Sequence, residues 1–134
     1  MAFDLSDLMI RKAAERHLPG QAGFFRASAH ALPVRSASFD SAICFHAFPH
    51  FEDPSRVLAE LARALKAGGT LWIDHLKGRA GINKIHRNAG PEIRSHLIPP
   101  AATMKKLLRA AGFRVKHLRD SPAGYSVLAV RDCL

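Results

Sequence analysis

The chain has 134 residues, enough for one domain, and 48% of them are hydrophobic, which is compatible with a packed globular core. The 20 Lys and Arg residues against 11 Asp and Glu give a net charge of +9, which indicates a basic protein or one with an anionic partner. The sequence shows no charged-then-apolar leader and no apolar run near 18 residues. Secretion and a membrane span are therefore not indicated, and we expect a cytoplasmic protein.

The first part of the chain predicts a strand, a helix and a second strand. Residues 1–4 fit the end of a strand, Ser6 is a plausible N-cap for a helix over residues 7–17, and Leu18-Pro19-Gly20 would end that helix. Residues 23–28 fit a short strand. A loop over residues 29–38 follows.

Residues 39–74 carry the strongest pattern and predict a parallel crossover. Residues 39–45 form the apolar run of a buried strand, and Asp53 with Pro54 suits the start of a helix whose apolar residues recur through Leu65. The run Lys66-Ala67-Gly68-Gly69 is expected to stop the helix, and residues 70–74 are rich in strand formers. Strand, helix and strand in this order predict an α/β sheet.

The second half predicts a lobe, a helix and a hairpin. Residues 77–100 read as an irregular segment with a helical turn or two over residues 82–88, and such segments are often substrate loops. A helix follows Pro99-Pro100 and is closed by Gly112. Residues 113–118 and 125–130 are expected to pair as an antiparallel hairpin.

Four stretches in this order carry a family resemblance. They are Phe3-Asp4-Leu5-Ser6, Ala29-His30-Ala31-Leu32-Pro33 with Ser38-Phe39-Asp40, the helix and glycine turn over residues 54–69, and Ala111-Gly112-Phe113. Together they resemble the class I S-adenosylmethionine-dependent methyltransferases, in the small-molecule branch that includes ubiquinone- and menaquinone-type enzymes. The resemblance implies an α/β fold with a partial Rossmann-like sheet, mostly parallel with a C-terminal antiparallel hairpin, and helices on both faces. It also implies one domain over residues 1–134, S-adenosylmethionine as cofactor and a small-molecule methyl acceptor near the 77–100 lobe.

One family feature is missing from the sequence. The family's first strand ends in a G-x-G-x-G turn whose amides approach the cofactor, and this chain has no such turn. In the family's sheet order, 3-2-1-4-5-7-6, that strand lies between strands two and four. We expect an N-terminally truncated domain; the alternatives are that strand two pairs with strand four, or that a partner chain or another copy supplies the strand.

The resemblance assigns roles to six residues. Asp4 would accept hydrogen bonds from the cofactor's ribose, and Leu5 would lie against adenine. Ser28 lies where the family usually has an acid that accepts from the adenine amino group, and it would accept more weakly. The backbone amide of Ala29 would contact the adenine ring. Phe45 and His46 come at the carboxyl end of the strand after Asp40, where Phe45 would lie near the sulfonium and His46 would orient a substrate hydroxyl or act as a base.

Other histidines and cations allow further interpretations. His46 and His50 are four residues apart, but Pro49 breaks a helix between them and no third ligand of matching spacing appears, so we predict no metal site. Three further histidines either line an acceptor pocket or are simply solvent-exposed: His75, His86 and His96. Arg87 and Arg94 are candidates for binding a carboxylate or phosphate.

Two other functions remain open from the sequence. The first alternative to a methyltransferase is a non-catalytic methyltransferase-like module that binds a partner chain. The second is a nucleic-acid binder that uses its basic second half. Basic residues there are at positions 77, 79, 84, 87, 94, 105, 106, 109, 114, 116 and 119, with Glu92 as the one acid. Against nucleic acid, Phe113 is the one Phe, Trp or Tyr in this region that could stack on a base.

Overall fold

Six strands and four helices make up the regular structure of the part of the chain that the structure, a computed structural model, describes: residues 1–16 and 23–133. The strands are β1 (Ala2–Asp4), β2 (Phe24–Arg26), β3 (Phe39–Phe45), β4 (Leu65–His75), β5 (Phe113–Ser121) and β6 (Gly124–Arg131). The helices are α1 (Asp7–Glu15), α2 (Pro54–Ala64), α3 (Arg79–Arg87) and α4 (Ala101–Ala110), with a short 3₁₀ helix at Phe48–His50. The predicted helix stop at Leu18-Pro19-Gly20 lies outside the described residues.

The strands form two separate sheets. β1 and β2 pair in parallel, and the second sheet has the order β3-β4-β6-β5. β3 and β4 are parallel, with α2 as their crossover, whereas β6 runs antiparallel to both of its neighbours. The expected α/β fold class, a partial Rossmann-like sheet that ends in an antiparallel hairpin, is confirmed.

A gap separates the two sheets where the resemblance places the absent strand. Among the described residues, no strand pairs with the second edge of β3, and β1 pairs with β2 alone. Pairing of β1 with β3, which the sequence left as an alternative, is therefore not what the structure shows. The free edge of β3 exposes unpaired backbone groups that could accept another strand.

One face of the four-stranded sheet holds the hydrophobic core. Strand residues that alternate along β4 and β6 point to this face, and α2 and α4 cover it. The following side chains are fully buried there: Leu58, Leu71, Ile73, Met104, Leu108 and Val127. This layer fixes β3 and β4 relative to each other, and with them the loops at their carboxyl ends.

The opposite face is open beside the free edge. Ile43 on β3 is 73% exposed, and its cross-strand neighbour Trp72 on β4 is 40% exposed. α1 packs instead against β1 and β2. A second helical layer over β3 and β4 would bury these two side chains.

The predicted glycine stop lies inside a strand. α2 ends at Ala64, and Leu65 is already extended (φ −77°, ψ 147°) because it is fully buried and pairs with Phe39. Residues 66–69 form an irregularity in β4, where the pairing register shifts and Gly68 adopts a φ of 75°. The left-handed glycine therefore serves a bulge rather than a helix cap.

The 77–100 lobe contains a longer helix than predicted. α3 begins against the end of β5: a Cβ on Gly78 would lie 2.1 Å from the Ser121 carbonyl oxygen, and the Arg79 amide donates to Asp120 Oδ1 at 2.8 Å. Asn83 then holds the far side of the lobe. Its side chain donates to the Ile98 carbonyl (3.0 Å) and accepts from the Ile98 amide (2.8 Å), and it is buried.

None of the helices within residues 1–16 and 23–133 combines the length and the apolar character that crossing a bilayer requires.

Candidate active site

Asp4 and Leu5 lie at the carboxyl end of β1. Asp4 Oδ1 accepts a hydrogen bond from the Ser6 amide at 2.7 Å, and Ser6 in turn caps α1. The second oxygen of Asp4 has no hydrogen bond from the described residues, and the side chain is exposed. Leu5 is also exposed, and its carbonyl accepts from Arg26 Nε at 3.2 Å. A carboxylate with one oxygen fixed and one free is suited to a hydroxyl donor.

Ser28 and Ala29 lie in the turn after β2, and His30 determines what Ser28 can do. His30 Nε2 accepts from the Asp53 amide at 3.3 Å, so a neutral His30 ring carries its proton on Nδ1, which lies 3.2 Å from Ser28 Oγ. The His30 amide also donates to Ser28 Oγ, at 3.2 Å. With two donors on its oxygen, Ser28 keeps its hydroxyl proton as the group it offers a ligand. This geometry favours a donor over the acceptor expected from the sequence.

Two charged residues of α2, which were not among the residues predicted from the sequence, hold the loop after this turn. Glu60 Oε1 accepts from the Leu32 amide at 2.8 Å, while Arg63 donates to the carbonyls of Leu32 (3.2 Å) and Val34 (2.8 Å). Hydrogen bonding from Arg63 keeps the pKa of Glu60 below its usual value. The i,i+3 pairing of Glu60 and Arg63 on α2 was the available signal.

His46 has an unusual backbone at the carboxyl end of β3. Its φ is 55°, a left-handed value that is uncommon outside glycine. Its Nε2 accepts from the Leu76 amide at 3.2 Å, and its ring packs edge-on against Phe45 at 4.4 Å between centroids. Phe45 is exposed beside the gap. Strained residues of this kind cluster at functional sites. Phe45 and His46 lie at the carboxyl end of β3, the position that the sequence predicts for them.

His75 and Tyr125 lie behind His46. The His75 ring is 5.1 Å from that of His46 and 6.3 Å from that of Tyr125, which pairs with it across the strands. Both are buried (3% and 1% exposed), and His75 Nε2 and the Tyr125 hydroxyl have no hydrogen-bond partner among the residues that the structure describes. Burial, with the charge of His46, lowers the pKa of His75 to about 4, and burial raises that of Tyr125 to about 12. Both are therefore neutral at pH 7.

Three more histidines meet beside the lobe. The His50 ring centroid is 5.0 Å from that of His86 and 5.3 Å from that of His96. His50 is exposed, whereas His86 and His96 are half-buried and so are not simply solvent-exposed side chains. Arg87 and Arg94 are exposed nearby in the chain. In the part of the chain that the structure describes, no three His, Cys, Asp or Glu side chains are arranged to hold a metal ion.

The residues present fit one half of S-adenosylmethionine. The free oxygen of Asp4 and the donor of Ser28 lie at the ends of neighbouring parallel strands, which suits a ribose and an adenine edge. The methionine half of the cofactor needs close backbone amides, and the sequence has no G-x-G-x-G turn to provide them. The gap beside β3 is where the strand that leads into such a turn would lie.

Comparison with known proteins identifies the family and relatives. A family model described as a methyltransferase domain matches residues 1–73, more than half of the chain. The chain is 32% identical over 109 residues to an O-methyltransferase of Aspergillus nomiae, covering 75% of this chain and 46% of the relative. It is 40% identical over 79 residues to a phthiotriol/phenolphthiotriol dimycocerosates methyltransferase of Mycobacterium ulcerans, covering 56% and 28%. The chain thus spans less than half the length of these relatives.

Solved structures share the fold. A putative methyltransferase of Haloferax volcanii, solved with the Trm112 methyltransferase activator, has a TM-score of 0.82 at 18% identity, over 98% of this chain and 71% of that one. A methyltransferase of Thermotoga maritima, described as a possible histamine N-methyltransferase, has a TM-score of 0.77 at 21% identity, over 97% and 72%. The ubiquinone-type branch remains a prediction. The family model and the strand order show that this chain belongs to the class I S-adenosylmethionine-dependent methyltransferases.

Proposed function

We propose that this chain takes part in methyl transfer from S-adenosylmethionine to a hydroxyl group of a small molecule. The observation that carries the proposal is His46, held in a left-handed backbone by its strand and the Leu76 amide, at the sheet edge where this fold class binds ligands. The two relatives described above support an activity of this kind, and the first of them is named an O-methyltransferase.

We assign the cofactor contacts to the residues that the sequence indicated. Asp4 would accept from a ribose hydroxyl, Leu5 and Ala29 would lie along adenine, and Ser28 would donate to a ring nitrogen. Phe45 would cover the sulfonium side. The bound cofactor would supply the activated methyl group, and these residues would fix its nucleoside end.

His46 is proposed to orient the acceptor rather than to take its proton. Because Nε2 already accepts from Leu76, a neutral ring carries its proton on Nδ1 and can donate that proton to an acceptor oxygen. Fixing the oxygen in line for transfer supplies much of the catalysis that this reaction needs. The acceptor would release its hydroxyl proton to solvent water as the methyl group is transferred, since no residue is assigned to take it. Nitrogen NMR of the His46 ring tests this: we expect the Nδ1-protonated tautomer, and the Nε2-protonated form would contradict the assignment.

The free edge of β3 supports a further proposal: activity requires another polypeptide segment that pairs with β3 and completes the sheet. A strand paired with β3 would satisfy its exposed backbone groups, and a following helix would cover Ile43 and Trp72. We propose that an upstream segment or a partner chain fills this place. The partner-binding alternative shares this feature without catalysis, and no feature of the structure favours the nucleic-acid alternative.

Calorimetry with S-adenosylhomocysteine tests the cofactor assignment. We compare this chain with a chimera that adds an opening strand, a G-x-G-x-G turn and a helix of the kind found in class I methyltransferases. The chimera is expected to bind, and its Asp4→Asn variant to bind about tenfold less tightly because a hydrogen bond to a charged group is lost. Absence of binding in a folded chimera would contradict the proposed function.

A further inference from the structure

The histidine trio, defined as His50, His86 and His96, is built by three separate segments. His50 ends the 3₁₀ helix, His86 lies in the last turn of α3, and His96 follows in the lobe. The pair formed by Asn83 and Ile98 fixes the chain just beyond His96, and His86 Nδ1 contacts the His96 carbonyl oxygen. The Nδ1 atoms of His50 and His96 lie 3.1 Å apart. The trio is therefore a fixed cluster rather than a chance meeting of mobile side chains.

The hydrogen bonds of the trio show which ring nitrogens can take up a proton. A carbonyl oxygen only accepts, so His86 carries a proton on Nδ1 and leaves its Nε2 for a ligand. In the His50–His96 contact, one Nδ1 donates and the other accepts. The donating ring also has an Nε2 that can take a proton without breaking the contact. Two Nε2 atoms can thus become cationic donors while the cluster keeps its geometry.

The trio forms no ion pair with a carboxylate of the described residues. Burial, and to a smaller extent the charges of His86 and His96, hold the pKa of His50 below its ordinary value. The surrounding lobe is basic in sequence, with Lys84, Arg87 and Arg94 against Glu92. An anion from outside would meet an attractive field and would favour the protonated rings.

We propose that His50, His86 and His96 bind a carboxylate of the methyl acceptor and take up a proton as they do so. This inference rests on the proposed function, because that function makes the bound carboxylate part of the methyl acceptor. Together they imply that the substrate is a hydroxy acid. The place fits that chemistry. His50 belongs to the 3₁₀ helix that directly follows β3, four residues after His46, which is assigned to the acceptor hydroxyl.

The test uses benzoate and its neutral analogue benzamide on the chain itself, without cofactor. Histidine ring protons are followed by NMR from pH 5 to pH 8.5. Benzoate is expected to raise the pKa values of the trio and to bind about tenfold more tightly at pH 6 than at pH 8, because binding is linked to about one proton. Benzamide is expected to do neither. Equal binding of the two probes, or benzoate binding that does not change with pH, would overturn the proposal.

Variants locate the site. His86→Gln removes one cationic donor, and His50→Gln, at an exposed ring, removes either the second cationic donor or the partner that orients it. Each is expected to weaken benzoate binding at pH 6 at least about tenfold. His117→Gln, at an exposed histidine on β5, is the matched control and should leave binding unchanged. Equal loss in all three variants would mean nonspecific attraction to a basic protein and would contradict the assignment, as would tighter binding of inorganic phosphate than of benzoate. Because no cofactor is present, failure here leaves the cofactor test unaffected.

Discussion

Single residues at the carboxyl ends of the strands show what sequence patterns convey and what they omit. Asp4 and Phe45 end strands that the sequence predicts, and His46 directly follows one. Their roles come from the family resemblance and stay predictions. The convergence of His50 with His86 and His96 could not be predicted, because it depends on how the lobe folds back over the sheet. The role of His30 was equally hidden, since the Asp53 amide that fixes its tautomer is distant in sequence.

His75 gives a pH-dependent stability. Its folded-state pKa of about 4 is below the ordinary 6.5, so the unfolded chain binds more protons between these values and stability falls as pH drops through this range. At about 1.4 kcal/mol per pKa unit, the loss is on the order of 3 kcal/mol between pH 7 and pH 4.

Denaturant unfolding across this pH range checks the expectation for His75. The variant His75→Gln removes the titrating ring, so its free energy of unfolding should depend less steeply on pH. His117→Gln serves as the exposed control and should keep the original slope. A parallel pH dependence in His75→Gln and the unaltered chain would refute the assignment.

At the scale of elements, regular periodicity was predictable and irregular joints were not. β3, α2, α4 and the β5–β6 hairpin appear close to where apolar spacing indicated them. The stop of α2 was misplaced because Leu65 gains more by full burial in the sheet, paired with Phe39, than by one more helical turn. The length of α3 was underestimated because its start is capped by Asp120 from another element.

Asn83 is the residue that holds the lobe onto the fold. Its side chain satisfies both the amide and the carbonyl of Ile98 in a buried site. Replacement by Ala leaves two buried backbone groups without partners, so we expect a loss of about 2–4 kcal/mol in the free energy of unfolding.

Chemical denaturation of Asn83→Ala measures this loss. Asn88→Ala, at the exposed end of α3, is the matched control and should change stability by less than about 0.5 kcal/mol. If the two variants were equally stable, the lobe would not depend on the contact between Asn83 and Ile98.

At the scale of the whole molecule, the sheet order with its gap followed from the resemblance, but the state of the gap did not. The sequence alone could not decide between a sheet that closes by pairing β1 with β3 and a sheet with an open gap. The structure keeps β1–β2 and β3–β6 apart because each sheet has its own packing partner: α1 for the first, α2 and α4 for the second.

Trp72 is the single tryptophan of the chain and lies on the open face, 40% exposed. In the chimera described above, the added helix should cover it, so its fluorescence emission should shift to shorter wavelength and be quenched less by acrylamide. Ile43→Lys places a charge on the face that the helix must cover and should reduce both effects. An unchanged spectrum in a folded chimera would mean that the open face lies elsewhere.

The gap beside β3 is also a position at which an enzyme of this fold can be divided into two chains. One piece would carry the nucleoside contacts and the acceptor lobe, the other the amide cradle for the methionine end. Neither would be active by itself, and reassembly would be governed by concentration. A pair of this kind would behave as a coincidence detector, in which methylation reports that both pieces are present in the same place.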